Sequence, residues 1–140
     1  PDKRGQDRGN SGVFLQNHYE IQILDSFGLE GNYDECGAVY KIAGPRVNAC
    51  RPPLEWQTFD ITYHAPRFDA KGELVARGRV SVLHNGVPIH ADQELLWPTS
   101  GGGNKRTKPH PDSPQPIRFQ EHGDFLEFRN IWLVNLRDDT

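Results

Sequence analysis

Trp56-Gln57-Thr58-Phe59-Asp60-Ile61-Thr62-Tyr63-His64 decides the fold. From Thr58 onward polar and apolar residues alternate without a break. Phe59, Ile61 and Tyr63 fall on one side, and Thr58, Asp60, Thr62 and His64 on the other. Successive side chains of a strand point to opposite faces, so this is a half-buried antiparallel strand with one wet face. The same period recurs at 19–24, where Tyr19, Ile21 and Ile23 oppose Glu20 and Gln22. Shorter runs at 13–16 and 38–42 read as strands as well. Residues 79–83 and 87–90 flank His84-Asn85-Gly86, and Asn-Gly between strands is a strong hairpin signal. Two closing strands are expected at 117–121 and 126–136, joined around His122-Gly123-Asp124. No segment carries a sustained helical period, and no internal repeat occurs. Short strands punctuated by turn signals indicate an all-β sandwich or jelly roll.

The connections fit that class. The chain has 14 Gly and 11 Pro in 140 residues, more than usual for a globular domain. Residues 1–10 are polar and read as a lead-in loop or frayed end. Residues 28–35 and 65–73 read as turns, and 44–55, with three prolines, as irregular chain. Residues 97–116 form a Gly/Pro/Lys loop inside the domain, long enough to imply a role of its own. The sandwich is expected over 11–137.

Charge and motifs exclude several functions. A net charge of −3 leaves no basic footprint for nucleic acid. No apolar run reaches the roughly 18 residues of a membrane-spanning helix, and no signal peptide is seen. There is no His-Glu-x-x-His, phosphate-binding loop, dinucleotide fingerprint or Gly-x-Ser-x-Gly, so neither metal nor cofactor is expected. Cys36 and Cys50 are too few and too widely spaced for a zinc site. A disulfide between them would close a loop of about 15 residues, contribute about 3 kcal/mol and imply an oxidising compartment. Two buried thiols fit equally well. The absence of methionine suggests a piece of a longer chain.

The chemistry-bearing residues lie on strand faces. Glu20 and Gln22 share one face. Gln120 and His122 share a parity, as do Glu127 and Arg129, opposite Leu126, Phe128, Trp132, Val134 and Leu136. If these strands are neighbours, the six polar residues line one surface suited to a polyhydroxylated ligand and to proton transfer. The alternative is a solvated sheet face with cross-strand Glu–Arg pairs. Tyr40 and Lys41 follow a strand and can reach such a surface; Arg51 and Glu55 are rim candidates. Asp60, Thr62 and His64 read as a wet face, and His84-Asn85-Gly86 as a turn. The run from Glu20 to Asp25 is similar to the Glu-x-Asp-x-x-Glu strand of laminarinase-type retaining glycosidases. Gln22 and Asp25 replace its second and third acids, however, and an unbulged strand puts Asp25 on the core side. Retaining chemistry needs two carboxyls about 5–5.5 Å apart, which disfavours direct double displacement.

Taken in order, several blocks resemble the 3-keto-disaccharide hydrolase domain family. They are Gly9-Asn10-Ser11-Gly12-Val13-Phe14-Leu15, the run from Tyr19 to Gly28, Cys36-Gly37-Ala38-Val39-Tyr40, Trp56-Gln57-Thr58-Phe59-Asp60, His84-Asn85-Gly86, Gln120-Glu121-His122-Gly123 and Phe128-Arg129-Asn130-Ile131-Trp132. The family pattern has Asp where Glu121 stands. The resemblance implies a concanavalin-like jelly roll in a secreted or periplasmic bacterial protein, here without the family's first strands. It also implies cleavage of 3-keto-glycosides or 3-keto-disaccharides supplied by a sugar oxidoreductase. Once C3 is a ketone, the C2 proton is acidic; its removal gives an enolate, the C1 substituent leaves, and water adds back. In that scheme Glu20 is the base and His122 the acid or second proton carrier. Gln22 and Arg129 hold the enolate or hydroxyls, and Gln120, Tyr40 and Lys41 bind substrate. A non-catalytic carbohydrate-binding module and a laminarinase-like glycoside hydrolase are the competing readings.

Overall fold

The computed structural model describes residues 3–101 and 103–136. Residues 1, 2 and 102 of the expected loops and the expected domain end at 137 lie outside the described residues. Two antiparallel three-stranded sheets carry the fold. In the first, β1 (Ser11–Leu15) lies between β2 (Tyr19–Ile23) and the two-residue β8 (Arg118–Phe119). In the second, β6 (Arg79–His84) lies between β3 (Phe59–His64) and β7 (Val87–Glu94). A small hairpin of β4 (Arg67–Phe68) and β5 (Leu74–Ala76) stands apart, within and beyond the stretch expected to be a turn.

The period-two pattern explains the packing. Val13, Leu15, Tyr19 and Ile21 form one core with Val80, Val82, Ile89 and Leu95 of the second sheet and its following segment. Ile61 and Tyr63 pack onto that core from β3, while Asp60, Thr62 and His64 are exposed, as the alternation requires. The domain is thus an all-β sandwich of the jelly-roll class. Asn85 and Gly86 take φ of 52° and 78°, the two left-handed positions of a tight hairpin turn. Asn85 does more than turn the chain. Its side chain accepts from Thr58 N at 3.0 Å and donates to the Ala49 carbonyl at 2.8 Å, tying the hairpin to two other segments.

Two expectations fail. Residues 38–42 do not form a strand: Val39 makes only isolated bridges to Ile21 and Ala43. Residues 126–136 are also not a strand, although their apolar residues alternate. Phe128, Trp132, Val134 and Leu136 stay exposed because, among the described residues, no strand edge is paired with them. Over residues 3–10 the lead-in is an anchored loop, the first of its two readings. It folds through a 3-10 turn at Gly5–Asp7 and is fastened by Gln6 Nε2 donating to Asp34 O at 2.8 Å and by an Arg8–Asp25 ion pair at 2.6 Å.

Candidate active site

The register of β1 and β2 pairs Gly12 with Gln22 and Phe14 with Glu20. These four residues therefore share the face turned away from the core. β8 extends that face, with Arg118 opposite Phe14 and the amide of Gln120 donating to Gly12 O at 2.9 Å. Two rows result: Arg118, Phe14, Glu20, and Gln120, Gly12, Gln22. The outer face of a sheet is normally wet, yet Glu20 is 5% exposed and Gln22 1%. Segments from elsewhere in the chain close over it.

The outcome is a polar hollow of about 70 Å³ lined by Gln6, Asn10, Glu20, Gln22, Tyr40, Gln120 and His122. Its one carboxylate, among the described residues, is Glu20. Burial raises the Glu20 pKa from 4.5 to about 7, against the opposing pull of Lys105 and Arg118. With its NH2 turned inward, the Gln22 amide donates to Glu20 Oε1 at 2.9 Å and to Ser11 O at 3.0 Å. The opposite orientation would set its oxygen against two acceptors. Room for the carboxylate comes from Gly12. A Cβ there would collide with Glu20 Oε1 and stand 2.9 Å from both Cγ and Cδ. Gln120 is positioned by β1, whose Ser11 Oγ donates to Gln120 O at 2.7 Å, and its side-chain Oε1 is buried without a partner. Asn10 is held by its N–H donating to Asp124 Oδ2 at 2.9 Å and its Nδ2 donating to Gln6 O at 2.8 Å.

Of the residues expected from sequence, Glu20, Gln22, Gln120, His122 and Tyr40 come together here. Lys41 and Arg129 do not line the hollow. The Lys41 ammonium pairs with Asp34 at 2.8 Å and lies over the Tyr33 ring. Arg129, freed from the expected strand, stacks on exposed Trp56 at 3.8 Å from its ring centroid. Glu127 is also outside the lining. Asp25, the third position of the laminarinase-like run, is engaged by Arg8. Cys36 and Cys50 are buried free thiols packed together with Leu24, and Cys50 Sγ donates to Leu24 O at 3.8 Å. His84, buried and stacked on Phe59 at 4.5 Å, serves the core. Burial pushes its pKa down to about 4. No cluster of three or more metal-ligating side chains occurs among the described residues.

Sequence reasoning missed Gln6 and Gly12 and left Asn10 without a role. The Asn10-Ser11-Gly12 block was visible, but only the fold shows that it sits under Glu20. A larger hollow of about 460 Å³, lined by Tyr63, Pro66, Pro111, Pro114, Ile117 and Leu133 among others, is mainly apolar. It does not gather comparable proton-transfer groups.

Comparison with known proteins agrees with the ordered sequence blocks. A crystal structure described as a "putative glycosyl hydrolase" from Parabacteroides distasonis ATCC 8503 superposes with a TM-score of 0.76 at 38% identity. The match covers 87% of this chain and 51% of that one, so this chain spans about half the length of its structural neighbour. No curated protein sequence matches it significantly. The model of the 3-keto-alpha-glucoside-1,2-lyase-like domain matches residues 2–134, nearly the full length. The chain is a member of that family.

Proposed function

We propose that this carbohydrate-active domain cleaves 3-keto-glycosides by elimination, with Glu20 as the base. The observation that carries the reading is a lone, desolvated carboxylate in an amide-lined hollow. Burial brings its proton affinity to about 7, where a carboxylate is a stronger base than usual and still ionises near neutral pH. Glycosidases of either stereochemistry place a second carboxyl about 5–10 Å away across the bond. Here the remaining lining is amide, phenol and imidazole.

The chemistry then runs in two steps. Glu20 takes the C2 proton of a sugar already oxidised at C3, and the electron pair moves into the ketone to give an enolate. That pair returns to expel the C1 oxygen, which accepts a proton from His122, leaving a C1–C2 double bond conjugated to the ketone. Addition of water across it gives the 3-keto sugar. The NH2 groups of Asn10 and Gln120 are the neutral donors at hand for the enolate oxygen, and the unpartnered Gln120 Oε1 is an acceptor for a hydroxyl. A hollow of about 70 Å³ takes one edge of a pyranose, with the rest of the ring toward exposed His122. The substrate comes from an oxidoreductase acting at C3.

The test compares a 3-keto-disaccharide with its unoxidised parent, following the enone by ultraviolet absorbance and the products by chromatography. The keto form alone is expected to turn over, with transient absorbance. Cleavage of the parent at a similar rate would overturn the reading.

A further inference from the structure

Among its described residues the long loop at 97–116 contributes none to the lining, yet it is built onto the strand that carries Glu20. Thr99 N and Ser100 N both donate to His18 O, at 2.7 and 3.2 Å, and Glu20 N donates to Thr99 Oγ1 at 2.8 Å. Thr99 is 3% exposed. The three carbonyls that follow this anchor face inward on the loop itself. Lys105 Nζ donates to Thr99 O at 2.6 Å and to Gly101 O, and Lys108 Nζ donates to Ser100 O at 2.7 Å. The Lys105 ammonium is thus fixed beside the Glu20 backbone by neutral acceptors, and no salt bridge engages it among the described residues.

That arrangement has an electrostatic consequence. Carbonyls hold an ammonium in place without cancelling its charge, so the charge acts on the nearest acid. Thr99 links that charge to Glu20, since its carbonyl holds the Lys105 ammonium and its hydroxyl holds the Glu20 N–H. Lys105 pulls the Glu20 pKa down, and Glu20 in turn raises that of Lys105 against burial and the repulsion of Lys108. The other charged or titratable groups facing Glu20 are Arg118 on β8, which lies over the Phe14 ring and donates to Asn17 Oδ1, and Tyr40 and His122 of the lining. Arg118 is shared with Asn17 and the ring, whereas Lys105 is held only by loop carbonyls.

We propose that Lys105, clamped by the carbonyls of Thr99 and Gly101, is a positioning residue that keeps buried Glu20 in its proton-accepting form. This rests on the reading of Glu20 as the base, and it gives the 97–108 segment its purpose.

The experiment titrates the Glu20 carboxyl carbon by 13C NMR in the substrate-free protein, with Glu20→Gln used for assignment. Lys105→Met is expected to raise the Glu20 midpoint by about one unit, and Lys105→Arg to restore it. Lys108→Met, which removes a repulsion on Lys105 and the bond to Ser100 O, is expected not to raise it. An unchanged midpoint in Lys105→Met, with near-ultraviolet circular dichroism showing a native fold, would overturn the proposal. The acid limb of kcat/KM should follow the NMR midpoint in each variant. A midpoint that moves while the limb stays still supports the Lys105 assignment and instead removes Glu20 as the base.

Discussion

The carboxylate of Glu20 occupies the space that a Cβ on Gly12 would need. The two residues lie on neighbouring strands, one register step apart on the same face, so the fit is set by the hairpin itself. Gly12 is not required for a left-handed turn; it sits inside a strand, where glycine ordinarily weakens pairing. Gly12→Ala is therefore expected to preserve the sandwich and displace the carboxylate, lowering kcat/KM by about 100-fold. A double-mutant cycle checks the cause: in a Glu20→Ala background, Gly12→Ala should lose most of its cost in thermal stability.

Burial of Glu20 carries a stability consequence of definite sign. Its folded pKa of about 7 lies above the ordinary 4.5. Below pH 4.5 the carboxyl is protonated in both states and adds nothing. Between 4.5 and 7 the unfolded chain gives up the proton and the folded one keeps it, so stability falls as pH rises and the penalty is complete above 7. The shift corresponds to about 3 kcal/mol. Glu20→Gln should be more stable than the parent at pH 8 and equal to it near pH 4, measured by denaturant titration at both values.

Much of the face was legible because it depends on strand parity. Glu20 with Gln22, and Gln120 two residues beyond the β8 position Arg118, follow from period two once the strands are placed. Arg129 fails for a related reason. Its expected parity rests on an alternation of apolar residues, but a strand also needs a neighbouring edge, and that pairing is not written locally. The cover over Glu20 was not legible either. Gln6 reaches it because its amide finds Asp34 O, a contact between segments distant in sequence; Lys105, outside the cover, is placed by two loop carbonyls on an irregular turn.

Arg129 belongs to the surface in this fold. Its stacking on Trp56 is an exposed cation–π contact, worth about 0.5–1 kcal/mol. Arg129→Ala should cost no more than that in stability and leave kcat/KM within about twofold, because the side chain lies outside the lining. Steady-state kinetics on the 3-keto substrate checks this directly.

The buried thiols make a prediction of their own. The two thiols share one buried site, and their interaction holds Cys50 well below the usual thiol range while Cys36 is held well above it. Thiolate absorbance at 240 nm in the reduced protein should show one early step and one late step with pH. Cys36→Ala removes the partner that lowers Cys50, and the early step should move upward.

The central claim is that Glu20 removes the proton at C2, and the fate of that hydrogen tests it most directly. A 3-keto-disaccharide carrying deuterium at C2 is cleaved in ordinary water, and the product is analysed by mass spectrometry against an enzyme-free blank for spontaneous enolisation. Elimination followed by hydration predicts a 3-keto sugar that has lost its C2 deuterium, and Glu20→Gln should abolish both cleavage and label loss. A product that keeps its deuterium through enzymatic cleavage would contradict the account.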